Sequence, residues 1–149
     1  MKIIPFIIPF MAVFTRTLAD PYTVTFDGIY DNRGAPTNTF APACANKLAS
    51  NYPTFGSFST FPRIGGASIV TNATNYAACG SCWRLTSMTS NGIGSTTTEV
   101  IVAAINSAPS TQQQFIISQE AFSTLADGQL MQSVSANAEP IQNTICGFS

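Results

Sequence analysis

Along the chain the clearest hydrophobic period is two. In Tyr22-Thr23-Val24-Thr25-Phe26 apolar and hydroxyl side chains alternate, the pattern of a strand with one face buried, and Asp27-Gly28 behind it is a turn signal. Segments 82–88, 99–105 and 114–117 read as further strands, with Ser90-Asn91-Gly92-Ile93-Gly94 as the turn joining the first two; residues 130–134 are a weaker candidate. Helical spacing is confined to residues 43–51 and 119–126. The second of these opens on Ser118, a good N-cap, and is stopped by Asp127-Gly128. Residues 52–66 are rich in aromatics, Pro and Gly without a period and are expected to form an ordered loop. The pattern predicts a mostly-β fold with two short helices.

The first residues belong to a different regime. Met1-Lys2 supplies a positive charge, residues 3–14 are apolar apart from Pro5 and Pro9, and Thr17-Leu18-Ala19 puts small residues where a signal peptidase cuts. The apolar run is shorter than the roughly 20 residues a membrane span needs. Cleavage is expected after Ala19, leaving one domain over residues 20–149 and no membrane anchor. That domain keeps Arg33, Lys47, Arg63 and Arg84 against seven acidic residues, too few and too scattered to neutralise a nucleic-acid backbone. Its polar surface is expected to consist chiefly of Ser, Thr, Asn and Gln, groups suited to neutral sugars.

Export places Cys44, Cys79, Cys82 and Cys146 in an oxidising compartment, where an even count reads as two disulfides. Three pairings are open. A Cys79–Cys82 bridge would close a small ring and restrain little of the unfolded chain. Cys44–Cys79 with Cys82–Cys146 would close long loops, each worth about 4 kcal/mol in the chain-entropy model. A zinc site is disfavoured because the chain has no histidine and no second close cysteine pair. No cofactor is implied. Asn72-Ala73-Thr74 matches the N-glycosylation acceptor pattern.

Several stretches together resemble the cerato-platanin family. They are Val24-Thr25-Phe26-Asp27-Gly28-Ile29-Tyr30-Asp31-Asn32, Tyr52-Pro53-Thr54-Phe55-Gly56, Phe61-Pro62-Arg63-Ile64-Gly65-Gly66-Ala67 and, most specific, Ala78-Cys79-Gly80-Ser81-Cys82-Trp83-Arg84-Leu85-Thr86. Weaker matches run through residues 101–106 and 126–129 and end at Cys146-Gly147. Together with the strand and helix pattern, the resemblance implies a closed or nearly closed barrel with two or three short helices, a double-ψ β-barrel related to the first domain of expansins, with disulfides Cys44–Cys79 and Cys82–Cys146. It implies a fungal protein, secreted or wall-associated, that binds chitin-type N-acetylglucosamine oligomers, can loosen cellulose without hydrolysis and elicits plant defence. Two departures stand out. The Ser-Asp-Gly that follows the family's first cysteine is here Ala45-Asn46-Lys47, and a family carboxylate linked to sugar binding falls at Asn106.

Hydrolysis of β-glucan requires two carboxylates, and an amide at position 106 can act as neither acid nor base. No histidine is present for a triad. The chain is therefore expected to bind rather than cut, through Asn106, Asp31, Tyr30 and Tyr76, with Trp83 assigned to the core. Its expected partners are chitin or another wall polysaccharide and a plant receptor, the protein being a monomer. The alternatives are an expansin- or endoglucanase-like wall-loosening enzyme, for which Asp27, Asp31, Glu99 and Glu120 are the available carboxylates, and a surface-active self-assembling wall protein. Restoring the family charge, Asn106→Asp, is expected to raise sugar binding and paper weakening.

Overall fold

The computed structural model describes residues 20–70, 76–90, 92–109 and 112–149; the expected signal peptide and the Asn72 acceptor lie outside them. Six strands, β1 Tyr22–Phe26, β2 Ile64–Ala67, β3 Ser81–Ser90, β4 Ser95–Ser107, β5 Gln114–Ile117 and β6 Val134–Ile141, close into a barrel in the order β1-β5-β2-β4-β3-β6. The β1–β5 and β2–β4 pairs are parallel and the other four antiparallel. Three short helices accompany them, α1 Thr37–Phe40, α2 Ala45–Leu48 and α3 Gln119–Leu125.

The backbone of the barrel is the β3–β4 hairpin, paired without interruption from Ser81↔Ala104 to Ser90↔Ser95. Alternation sends Trp83, Leu85 and Ser87 of β3 and Val100 and Val102 of β4 inward. Trp83 is 5% exposed and packs against Tyr22 and Phe115, while its indole N–H donates to Ser81 Oγ at 2.8 Å; the core assignment holds. Phe55, Ile64, Ile105, Phe115, Ile117 and Leu125 fill the rest of the interior.

The disulfides are Cys44–Cys79 and Cys82–Cys146, closing separations of 35 and 64 residues. They pin α2 to the turn before β3, and β3 to the C-terminal turn. The departure at Ala45-Asn46-Lys47 forms α2, whose Lys47 Nζ donates to the Cys79 carbonyl at 2.8 Å.

The sequence reading misses one strand, misplaces a second and shortens a third. β2 lies at the end of the expected loop 52–66, where Gly65-Gly66 conceals it. A Cβ on Gly65 would collide with the Ile116 carbonyl and one on Gly66 with the Ser107 carbonyl, so only glycine lets β2 pass between β4 and β5. The strand expected at 130–134 instead begins at Val134 and runs to Ile141, buried at Val134 and Ala136 and exposed or half-buried from Asn137 onward, where it pairs with β3 from Thr86 back to Cys82. β4 extends to Ser95, a polar Ser/Thr stretch whose strand geometry comes from pairing with β3 rather than from burial. Helix 43–51 contracts to four residues, and α1 carries no periodic signal.

Candidate functional site

Asn106 sits near the end of β4, opposite Gly66. Both ends of its amide are engaged. Nδ2 donates to the Tyr30 hydroxyl at 3.2 Å and to the Phe40 carbonyl at 3.1 Å, and Oδ1 accepts from the Ala43 N–H at 3.3 Å. Asn106 therefore fastens the α1–α2 connection to the barrel, as no carboxylate would, because a carboxylate has no donor for the Phe40 carbonyl.

Tyr30 belongs to the 3-10 turn Gly28–Asp31, which Asp27 caps by accepting from the Ile29 N–H at 3.0 Å. Its ring is 4% exposed and stacked on Phe55 at 5.6 Å between centroids, so the tyrosine expected to offer a sugar-stacking face belongs to the core. Burial raises the phenol above its ordinary value; the Asn106 hydrogen bond opposes the rise and the Asp27 charge adds to it.

Asp31 lies next in the chain but serves another element. Its carboxylate accepts from the Gln119 and Glu120 N–H groups at 2.7 and 3.1 Å, satisfying two open donors at the start of α3 while Ser118 Oγ accepts from Ala121 N–H at 3.1 Å. Tyr76 opens a 3-10 turn just before the Cys79 disulfide, and its side chain is outside the described part. Of the four expected binding residues, the structure joins Tyr30 and Asn106 directly and turns Asp31 toward α3.

The residue that sequence reasoning missed here is Phe40. Its ring is 41% exposed, and the Asn106 amide grips its carbonyl. The signal in the sequence is a lone aromatic within Asn38-Thr39-Phe40-Ala41-Pro42, outside any stretch with a strand or helix period.

A second concave region lies nearer the opposite end of β4. A cavity of about 540 Å³ is lined by Phe61, Arg63, Glu99, Ile101, Glu120 and Thr124, and it continues along α3 to Asp127. Glu99 is paired with Arg84, which also reaches Glu139, at 3.3 and 3.2 Å. No group of three or more potential ligands suited to a metal ion occurs among the described residues.

The comparisons decide the family. The family model described as cerato-platanin matches residues 22–148. The chain belongs to the cerato-platanin family. Its structure is similar to cerato-platanin 2 of M. perniciosa, with TM-score 0.72 and 31% identity over 86% of this chain and 99% of that one. The solution structure of "the fungal elicitor Cerato-Platanin" aligns with TM-score 0.62 at 23% identity, over 83% and 95% of the two chains. Allergen Asp f 15 of Aspergillus fumigatus is 40% identical over 70 residues, which is 45% of this chain and 44% of that protein. The barrel, its three short helices and its two disulfides are thus a cerato-platanin fold. No helix among the described residues is long and apolar enough to cross a membrane.

Proposed function

We propose that this cerato-platanin is exported and binds wall polysaccharide, chitin-type chains foremost, without hydrolysing it, and that it acts outside the cell as an elicitor of plant defence. The observation that carries the reading is the Phe40–Asn106 surface. Carbohydrate binding needs an apolar face for sugar C–H groups beside hydrogen-bonding groups, and Phe40 offers an exposed ring whose backbone is held in place by the Asn106 amide. Asn106 acts as a positioning residue and Phe40 as the contact. Where the family carries a carboxylate this chain has an amide committed to three protein groups, which favours binding over acid–base chemistry.

The test is retention on insoluble chitin, cellulose and xylan. The protein is expected to be retained on chitin, and Phe40→Ala to weaken retention about tenfold, the loss of one stacked ring. Unchanged retention of Phe40→Ala would remove that surface from the account, and no retention on any of the three would remove polysaccharide binding.

One observation favours a second reading. Glu99 and Glu120 line one cavity, the kind of carboxylate pair a glycosidase uses. Both are exposed, without the apolar enclosure in which a glycosidase keeps its general acid. Release of reducing ends that disappears in Glu99→Gln and Glu120→Gln would establish the enzyme.

A further inference from the structure

β4 has two edges, one paired with β3 throughout the hairpin and the other covered by β2 only in part. The Ala104 carbonyl accepts from the Gly80 N–H on the β3 side, while the Ala103 N–H donates to the Arg63 carbonyl on the β2 side. Main-chain groups alternate along a strand, and the β3–β4 register is unbroken. The N–H and C=O groups of Ser95, Thr97, Glu99 and Ile101 therefore point away from β3. The β2 ladder starts only at Ile64↔Ala103. Just before it the chain turns aside, with the Arg63 N–H going to the Thr60 carbonyl at 2.7 Å and the Ile64 N–H to the Pro62 carbonyl at 2.8 Å. An open edge remains, and the cavity beside α3 runs along it.

We propose that the outer edge of β4 from Ser95 to Ile101 is a strand-addition site for an extended peptide segment that carries lysine or arginine. An unpaired edge is a ready template for another backbone, and main-chain hydrogen bonds give such sites their affinity while neighbouring side chains select the occupant. Selection here is by charge. Glu99, Glu120 and Asp127 border the cavity and its extension, with Arg63 as the lining cation; Arg84 is shared between Glu99 and Glu139, and neither Glu120 nor Asp127 has an ion-pair partner among the described residues. A saccharide would match the charge only if it were cationic and would gain nothing from the strand repeat; a basic peptide uses both. This site lies along the stretch of β4 remote from Phe40 and Asn106 and stands or falls independently of polysaccharide binding.

The experiment titrates the 15N-labelled protein, at low salt, with an acetylated and amidated peptide of about eight residues alternating lysine and valine, a usual strand length. A glutamate–valine peptide serves as control, and backbone amide hydrogen exchange is the readout. The proposal expects the amides of Thr97, Glu99 and Ile101 to become protected, while those of Thr98 and Val100, already facing β3, change little. Thr97→Pro removes one outward N–H without touching the β3 ladder, a place where an edge strand tolerates proline, and should abolish the protection. Glu120→Gln should weaken binding about fivefold, one charge-assisted contact. Equal binding of the glutamate peptide, undiminished binding by Thr97→Pro, or shifts without protection of those three amides would overturn the proposal. So would the same protection arising from protein concentration alone, which would assign the edge to a second copy of the chain.

Discussion

At the scale of single residues, Asn106 shows how a side chain can look like an inherited ligand and work as a fastener. Replacing it with Asp would set a carboxylate against the Phe40 carbonyl where Nδ2 now donates, so a cost of about 1–3 kcal/mol in stability is expected. Urea denaturation of Asn106→Asp beside wild type measures this. The expected gain in sugar binding from restored charge thus meets a structural cost that sequence alone does not show. Tyr30 gives a pH-dependent counterpart. Its phenol holds its proton above the ordinary 10.0 in the folded state, so the unfolded chain ionises first. The stabilisation is complete below about pH 10 and is lost as pH rises from there through the raised folded value. Denaturation between about pH 9 and about pH 11 should show a shallower loss for Tyr30→Phe than for wild type. The chemistry of these residues was legible in the sequence, which singled out both positions. Their partners were not, because the Tyr30–Asn106 contact joins groups 76 residues apart and no local period reports that.

The elements divide along the same line. β1 announces itself by alternation, β5 by its short apolar run, and α3 by its Ser118 cap and its Asp127-Gly128 stop, Asp127 having φ of 55° and Gly128 of 70°. β2 is hidden by the two glycines its neighbours require, the first half of β4 by a polar Ser/Thr run, and the second half of β6 by Asn137, Glu139 and Pro140; both of these halves are strands through their pairing with β3. α3 also shows help from outside the element: Asp31, nearly ninety residues earlier, accepts from two of its first N–H groups. Asp31→Ala should cost about 1 kcal/mol, within the usual range for a lost cap, and hydrogen exchange should report it first at Gln119 and Glu120. If sugar retention is unchanged in that variant, its role is capping alone.

The whole molecule is a small barrel with its loops stapled to it. The bridges close 35 and 64 residues, so each restrains the unfolded chain by about 4 kcal/mol in the entropy model, comparable to the total stability of many domains. Reduction under mild conditions is therefore expected to unfold the protein, and mass mapping should recover Cys44 with Cys79 and Cys82 with Cys146. The cysteine pairing and the barrel class were legible through the family resemblance that runs over the whole chain, the strand period by itself giving only a mostly-β chain and the even cysteine count only two bridges; the proposed binding surface was the least legible, since it depends on which aromatic is left outside. That surface bears on the central claim, binding to wall polysaccharide without cleavage. The most direct test incubates the protein with chitin and measures, on the same sample, the fraction bound and the reducing ends released over time. The account predicts a bound fraction that saturates while reducing ends stay at the level of chitin alone; reducing ends that accumulate in proportion to protein and time would contradict it.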